Sequence, residues 1–283
     1  MGRLPALVAL TMLAFAANSL LNRAALLQPG MGPASFAALR VGAGAVVLAA
    51  LVMSRGGPAR LRARFNLGNA AALTAYMLGF SFAYVSLPAG LGALILFGGV
   101  QITMFAGGVL SGDAIPARRW LGAGVAFGGL VWLLWPGAAS APHPLGAGLM
   151  AVAAVGWGIY SLRGRGGSDP LATTAASFVL ALIPALIVVV LASDGVTLPG
   201  AALAMVSGAI TSGLGYALWY SVLPRLPASS AAVVQLTVPV IAVAAGALLL
   251  AEPVTLRLVA SAVLVLGGVA LAVTAPSAPA RRA

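Results

Sequence analysis

The chain has 283 residues, of which 61% are hydrophobic and only 7% are charged. Soluble domains carry about 25% charged residues, so this composition excludes an ordinary soluble protein and predicts a polytopic membrane protein. The net charge of +11 comes from fifteen arginines scattered between apolar runs, with no basic face, which argues against a nucleic-acid partner. The sequence has no cysteine, which excludes disulfides and cysteine-bound metals within it.

Glycines, prolines and arginine clusters divide the chain into ten apolar segments, each near the ~20 residues that a membrane-spanning helix needs. The first segment resembles a secretory signal, but its apolar run continues to Leu27, so we interpret it as a retained membrane helix. No segment alternates as barrel strands do, so we expect an all-α integral membrane protein with ten transmembrane helices. The segments are 4–27, 34–54, 67–87, 88–111, 118–136, 145–163, 170–192, 200–223, 228–250 and 257–275.

The arginines fall almost entirely on one side of these ten spans. A single arginine, Arg257, lies in a loop on the opposite side, and Arg23 and Arg40 lie within or near spans. Positive charge stays on the cytoplasmic side of a membrane, so we expect both termini to be cytoplasmic. The arginines on the cytoplasmic side are Arg3, Arg55, Arg60, Arg62, Arg64, Arg118, Arg119, Arg163, Arg165, Arg225, Arg281 and Arg282.

The two halves of the chain resemble each other. The segment 88–129 aligns with 227–268 without a gap. The pattern predicts two five-helix repeats, 1–136 and 137–283, and five spans per half give the second half the opposite orientation in the membrane. Such inverted repeats are typical of transporters that bind substrate between the halves. The matched pairs are Pro88 with Pro227, Gly107 with Gly246, Asp113 with Glu252 and Arg118 with Arg257.

The chain resembles the EamA-type members of the ten-helix drug/metabolite transporter superfamily over almost its whole length, and two motifs carry this resemblance. One motif is Asn18, Arg23, Pro33 and Arg40 in the first two spans. The other is a small-acidic pair that ends spans four and nine, Gly112-Asp113 and Ala251-Glu252. The resemblance implies a transporter whose helices 1, 3, 4, 6, 8 and 9 line a central cavity. Members of this group export aromatic and neutral amino acids or handle other metabolites.

The resemblance is incomplete at two points. Asp113 stands where the family more often has glutamate, and the proline usual within spans four and nine occurs only as Pro239.

The sequence offers no catalytic site. Lysine and cysteine are absent, and the single histidine, His143, lies in a loop. General acid–base and nucleophilic chemistry needs such groups near one another, so we expect no enzyme activity, no metal and no cofactor. The four acids fall at span ends or in loops, which favours a facilitative or substrate-driven carrier over one with a mid-membrane carboxylate. Proton coupling through a tyrosine or a water chain stays open.

Aromatic and amide side chains within the spans are the candidate cavity residues. Their alternative roles are core packing, lipid contact and hydrogen bonding between helices. The aromatic stripes fall in spans three and eight, which the repeat relates, and this favours a cavity. The cavity candidates are Asn18, Tyr76, Phe80, Gln101, Trp157, Tyr160, Tyr216, Trp219, Tyr220 and Gln235.

A second group of residues has predicted structural or gating roles. Arg40 either attracts a substrate carboxylate or has a structural role, in which it snorkels outward or bonds to carbonyls and asparagine side chains of helix one. The structural role is favoured because Arg40 lies near the outer end of its span. Asp113 is expected to cap the turn that ends span four or to pair with Arg118, and Glu252 and Arg257 are expected to repeat that arrangement. Pro239 is expected to free backbone carbonyls near Gln235. The full group is Arg40, Asp113, Arg118, Pro239, Glu252 and Arg257.

Together these features predict a multi-pass protein of the bacterial inner membrane that exports small metabolites by alternating access. Amino acids, including aromatic ones, are the expected substrates. The expected partners are that small-molecule substrate and the lipid bilayer, and the oligomeric state is open, with a monomer as one option. The alternatives are a carrier of another metabolite or drug class, and a lipid-handling or scaffold protein.

Overall fold

The computed structural model describes residues 3–112, 115–136, 141–164, 167–226 and 228–274. These residues form helices joined by short loops, and no strand occurs among them. A π-helical stretch, Ser207–Leu214, lies between α8 and α9, and a short 3₁₀ helix, Leu223–Arg225, follows α9. The helices are α1 (Arg3–Leu26), α2 (Pro33–Arg62), α3 (Leu67–Ala83), α4 (Ala89–Leu110), α5 (Ala117–Leu134), α6 (Pro144–Gly164), α7 (Pro170–Ala192), α8 (Leu198–Val206), α9 (Gly215–Val222), α10 (Ala228–Gln235), α11 (Thr237–Leu250) and α12 (Leu256–Val273).

Short polar residues begin several of the helices. The side chains of Asn66, Asp169, Thr197 and Thr255 each accept a hydrogen bond from the backbone N–H three residues later. Such caps bind one of the N–H groups that a helix leaves free at its start. A proline in the first turn fixes the backbone angle of α2, α7 and α8.

Among the described residues, eight helical segments are long and apolar enough to cross a membrane, fewer than the ten predicted. The remaining two candidates are α3, which has 17 residues, and α5, which has 18 residues and carries two arginines in its first turn. The all-α class and the integral membrane character are therefore supported. The eight segments are Arg3–Leu26, Pro33–Arg62, Ala89–Leu110, Pro144–Gly164, Pro170–Ala192, Leu198–Arg225, Val233–Leu250 and Leu256–Val273.

Two predicted spans have different bounds in the structure. The second continues to Arg62, through a break at Gly57 whose φ of 74° only glycine adopts without strain. The ninth is divided at Leu236 into α10 and α11. Pro239 explains this division, because it has no N–H to bond the carbonyl of Gln235 four residues earlier.

The helices pack in pairs that cross between the halves of the chain. The packed pairs are α2 with α7, α4 with α11, and α5 with α12. In addition, α1 packs against the α8–α9 segment and α11, while α6 packs against α3 and α4.

Small residues allow α5 and α12 to approach closely. Gly268 lies against the backbone of Ala126, and Gly129 lies against Val265. A Cβ atom at either glycine would meet the other helix at less than ordinary contact distance. Close backbone approach through small residues is the usual way in which membrane helices associate.

Two arginines bind the C-terminal ends of the opposite helices in this pair. Arg257, on α12, donates hydrogen bonds from Nε and Nη2 to the carbonyl of Trp132 at 3.1 and 2.6 Å. Arg118, on α5, donates from Nη2 to Oγ1 of Thr274 at 3.3 Å. The predicted pair of Arg257 with Glu252 is therefore wrong. Carbonyls at the end of a helix are left without partners and carry partial negative charge, which suits a guanidinium.

Candidate substrate cavity

A small cavity of about 20 Å³ lies at the centre of the bundle. Side chains from α1, α3, α4, α6 and α9 form its wall, and most are apolar or aromatic. This volume has room for about one water molecule. The lining residues are Phe15, Asn18, Ser19, Tyr76, Phe80, Leu96, Phe97, Trp157 and Tyr216.

Aromatic rings from four helices meet around this cavity. The ring of Trp157 stacks on that of Tyr216 with centroids 5.1 Å apart and lies 4.9 Å from that of Tyr76. Phe15 meets Tyr216 edge to face at 5.7 Å, and Phe80 lies 5.5 Å from Tyr76. Aromatic faces in such a cluster suit a flat apolar group or a cation placed over a ring.

A polar network lies against the cavity where α1 meets the π-helical stretch. Oδ1 of Asn18 lies within hydrogen-bond distance of the hydroxyls of Ser207, Thr211 and Ser212, at 2.9, 2.6 and 3.2 Å. All of these bonds use Oδ1, which leaves the Nδ2 amino group of Asn18 as a donor beside the cavity. The hydroxyl of Ser19 also lines the cavity, and it is buried with no hydrogen-bond partner among the described residues.

Arg40 continues this network and is fully buried, with 0% exposure. Nε donates to Ser212 Oγ at 3.3 Å, and Nη2 donates to the Tyr76 hydroxyl at 3.2 Å. The guanidinium carbon lies 4.7 Å from the ring centroid of Phe80. Nη1 has no hydrogen-bond partner in the described part of the chain. Arg40 therefore stands behind two residues of the cavity wall, Tyr76 and Phe80.

A larger vestibule of about 270 Å³ lies at the end of the bundle where α3 begins and α6 ends. Arg64 and Arg163 line it together with Tyr160 and Tyr220. The two arginines bind neutral groups: Arg64 donates to Ser168 Oγ at 2.8 Å, and Arg163 donates to the Oδ1 atoms of Asn69 and Asn66. The ring of Tyr160 stacks on Trp157, with centroids 5.5 Å apart. Two stacked rings thus separate the vestibule from the central cavity.

A cluster that we call the α4 latch, formed by Arg23, Ala89 and Glu252, lies at the opposite end of the bundle. Both carboxylate oxygens of Glu252 accept from the backbone N–H of Ala89, the first residue of α4, at 2.9 and 2.8 Å. Nε of Arg23 lies 3.4 Å from Glu252 Oε1. Nη1 of Arg23 donates to the carbonyls of Tyr84 and Val85 at the end of α3. The latch therefore joins α1, α3, α4 and the end of α11.

The predicted site residues separate into three groups in the structure. Asn18, Tyr76, Phe80, Trp157 and Tyr216 lie together in the wall of the central cavity.

The other predicted site residues lie outside the wall of the central cavity. Tyr160 and Tyr220 line the vestibule, and Trp219 packs on Phe15 with ring centroids 5.9 Å apart. Gln101 and Gln235 are half-buried, and their side chains form no hydrogen bond with the described residues. Asp113 lies outside the described residues.

Sequence reasoning missed several residues of the site. Phe15, Ser19, Leu96 and Phe97 complete the cavity wall. The hydroxyls of the π-helical stretch hold Asn18. A signal was present for Phe15, because it lies three residues before Asn18 and shares its helix face. The hydroxyls gave no such signal, since serine and threonine are common throughout apolar spans.

Three comparisons connect this geometry to known proteins. The profile of the EamA-like transporter family matches residues 144–274. An uncharacterized protein of Pseudomonas aeruginosa is 50% identical over 267 residues, which cover 94% of this chain and 92% of that protein. An uncharacterized transporter of Archaeoglobus fulgidus is 32% identical over 169 residues, 57% of this chain and 59% of that protein. The chain belongs to the EamA-like transporter family.

This EamA-like protein is therefore a multi-pass membrane transporter of small molecules. Its fold also has a counterpart among solved structures. A crystal structure of a protein with 18% sequence identity superimposes with a TM-score of 0.66 and covers 94% of both chains. At this identity the similarity concerns the fold alone.

Proposed function

We propose that the protein is a facilitative exporter of amino acids, with aromatic and other apolar side chains preferred. The observation that carries the proposal is the central cavity, where a wall of aromatic rings meets the amide of Asn18 and the hydroxyl of Ser19. Ligand sites are typically apolar with a few placed polar groups, and this combination suits a small molecule with one polar end.

The proposed architecture is ten spans in two inverted five-helix repeats, 1–136 and 137–283. The α8–α9 segment forms one span and α10 with α11 another, so that the twelve helices give ten. The alignment of 88–129 with 227–268 relates several structural features and supports this proposal. Arg118 and Arg257 both bind the C-terminal end of the opposite helix. Gly112 and Ala251, which both precede an acid, have left-handed backbones with φ of 76° and 52°.

The close contacts between α5 and α12 support the same repeat. The alignment pairs Gly129 with Gly268 and Ala126 with Val265. If each residue is replaced by its counterpart in the other half, the first contact, Gly129 with Val265, becomes the second, Gly268 with Ala126. Both contacts are present in the structure. Contacts that map onto each other in this way are expected when two similar halves pack about a two-fold axis.

We propose that the vestibule faces the cytoplasm of a bacterial inner membrane, with both chain termini on that side. Most arginines of the described residues lie at the vestibule end of the helices, whereas Arg23 and Arg257 lie at the latch end. Positive residues on the cytoplasmic side support this orientation. Substrate would then enter from the cytoplasm and leave after the α4 latch opens.

The proposed transport cycle needs the central cavity to enlarge, because about 20 Å³ does not hold an amino acid. Access would alternate between the vestibule and the latch end as one half of the protein moves against the other. None of the acids Asp169, Asp194 and Glu252 lies within a helix of the described residues. This placement supports a carrier that does not need a mid-membrane carboxylate to couple protons.

The test is counterflow in proteoliposomes with a panel of labelled amino acids, with and without a pH gradient. We expect exchange of phenylalanine, tryptophan and leucine without any gradient, and none of lysine. Trp157→Leu and Asn18→Leu should slow exchange about fivefold or more, since each removes a cavity contact. Trp120→Leu is the matched control, because Trp120 is 54% exposed on α5. Absence of exchange for every amino acid would refute the proposal.

A further inference from the structure

We infer that Arg40 is the anchor for the negative charge of the substrate, so that the transporter recognises a carboxylate and does not require an ammonium group. This inference deepens the proposed function and rests on it for the identity of the cavity. It names the group that decides which small molecules bind.

The first step concerns the charge of Arg40. It is fully buried about two turns into α2, where a charged side chain is expensive and marks a functional site. None of the three described acids pairs with it. Asp169 binds Arg60, Glu252 belongs to the α4 latch, and Asp194 binds the N-terminal end of α2. Within the described part of the chain, the guanidinium therefore has no counter-ion.

The second step concerns the donors that surround the charge. Nη1 of Arg40 and the hydroxyl of Ser19 are buried without hydrogen-bond partners among the described residues. Asn18 and Ser19 both line the cavity, and Arg40 reaches its wall through Tyr76, whose hydroxyl oxygen accepts from Arg40 and lies 3.3 Å from the Tyr216 hydroxyl. These groups are hydrogen-bond donors, and no carboxylate lines the cavity, a combination that suits an anion.

The third step concerns what the cavity does not offer. An ammonium group would need a carboxylate or several carbonyls, and the cavity wall contains neither among its side chains. The faces of Trp157 and Tyr216 can accept a cation, but only weakly. A carboxylate on an apolar or aromatic body therefore satisfies the site, and an added ammonium contributes little.

Three compounds with the same phenyl body separate the two charges. 3-Phenylpropionate has only the carboxylate, 2-phenylethylamine has only the ammonium, and L-phenylalanine has both. We expect 3-phenylpropionate and phenylalanine to quench the fluorescence of Trp157 in detergent-purified protein at about tenfold to a hundredfold lower concentration than the amine. Equal affinity of the wild-type protein for the acid and the amine would overturn the inference.

Substitution of Arg40 gives the second measurement. Arg40→Met should reduce the preference for the acid over the amine to within about threefold, and Arg40→Lys should retain part of it. Arg55→Gln is the matched control, because Arg55 is exposed outside the cavity and its loss removes the same charge. A folded Arg40→Met protein that keeps the wild-type preference would overturn the inference.

Thermal stability distinguishes an anchor from a structural arginine. A buried charge without a counter-ion is costly, and its replacement by an apolar side chain is often neutral or stabilising. We therefore expect Arg40→Met to melt no lower than Arg55→Gln. If Arg40→Met does not fold, Arg40 holds the fold, and the inference then stands only if Arg40→Lys folds and prefers the acid.

The proposed function and the inference fail in different ways. If no amino acid exchanges in proteoliposomes but 3-phenylpropionate still quenches Trp157, the function is wrong and the inference stands. If amino acids exchange and 2-phenylethylamine competes as well as 3-phenylpropionate, the function stands and the inference is wrong.

Discussion

We propose that the α4 latch controls access at one end of the bundle, and the negative charge of Glu252 can be removed by a change of a single atom type. Glu252→Gln keeps an oxygen that accepts from the N–H of Ala89, but it removes the negative charge from the start of α4. Arg23 would keep its bonds to the carbonyls of Tyr84 and Val85. The substitution therefore weakens the contact between α4 and the end of α11 while the surrounding packing stays in place.

The size of the effect follows from two contacts of the carboxylate. A negative charge at a helix N-terminus contributes about 0.3–1 kcal/mol, and up to about 2 kcal/mol when it is partly buried. The ion pair with Arg23 adds about 0–1 kcal/mol. The side chains of Arg23 and Glu252 are 19% and 11% exposed, so the upper part of the first range applies. A loss of about 1–2 kcal/mol raises the population of the open latch about 5-fold to 30-fold.

The chain has no cysteine, so a single introduced cysteine reports on this population without any background. Ala242 is fully buried on α11, about one turn before Gly246, and Gly246 lies against Ala89. We expect a maleimide to label Ala242→Cys slowly in detergent-purified protein. Addition of Glu252→Gln should raise the labelling rate about 5-fold to 30-fold.

Asp194→Asn is the matched control for this experiment. Asp194 also accepts hydrogen bonds at a helix N-terminus, from the N–H groups of Ala34 and Ser35, but it touches neither α4 nor α11. Its loss should leave the labelling of Ala242→Cys within about twofold of the starting rate. An unchanged rate with Glu252→Gln, or an equal rise with Asp194→Asn, would show that the latch does not control access.

Three further predictions concern charge, an ion pair and helix packing. If 3-phenylpropionate is carried as an anion, a potential of about 100 mV should accumulate it about fiftyfold over protein-free liposomes, and net-neutral phenylalanine should not respond. The hydrogen bond from Arg60 holds the pKa of the Asp169 carboxyl below its ordinary value. The contribution of the ionised carboxyl to the stability of the fold is therefore complete above about pH 4 and is lost as the pH falls through the lowered pKa. Asp169→Asn should thus lower the melting temperature at pH 7, and this effect should shrink as the pH falls below about 4. Gly268→Leu should lower it by the equivalent of about 1–3 kcal/mol, because the side chain meets the backbone of α5, whereas Gly267→Leu has open space and should have little effect.

The helical type of the fold could be predicted from the sequence because each span must present apolar side chains over a fixed length, but among the described residues eight segments, and not ten, are long and apolar enough to cross a membrane. Prolines at 33 and 170 begin α2 and α7 as expected. The breaks inside spans were harder to place. Gly57 interrupts α2 without ending it, and the division at Leu236 depends on Pro239 three residues further on. The π-helical stretch had no sequence signal, since its residues fit an ordinary helix equally well.

The candidate site could be predicted only in part, and contacts distant in sequence explain the rest. The aromatic residues of the cavity were found because they share a helix face. The spacing of Glu252 and Arg257 suggested a local ion pair, but the left-handed backbone at Ala251 turns the carboxylate toward α4 instead. Arg40 was expected to bond to helix one, yet its partners are Tyr76 and Ser212, on α3 and the π-helical stretch. Neither the contact of Glu252 with α4 nor the contacts of Arg40 with Tyr76 and Ser212 follow from sequence spacing.

The proposed inverted repeat would give the α4 latch a counterpart with the opposite effect. The alignment of the two halves pairs Asp113, outside the described residues, with Glu252 and pairs Ala228 with Ala89. If the halves exchange conformations during transport, a bond from Ala228 to Asp113 would form at the vestibule end only in the state in which the α4 latch is open. Asp113→Asn should therefore destabilise that state and slow the labelling of Ala242→Cys, whereas Glu252→Gln accelerates it. With both substitutions, the loss of stability in the open-latch state offsets the loss in the closed-latch state. The labelling rate should then return toward that of the protein with Ala242→Cys alone, a result that general loosening of the bundle cannot produce.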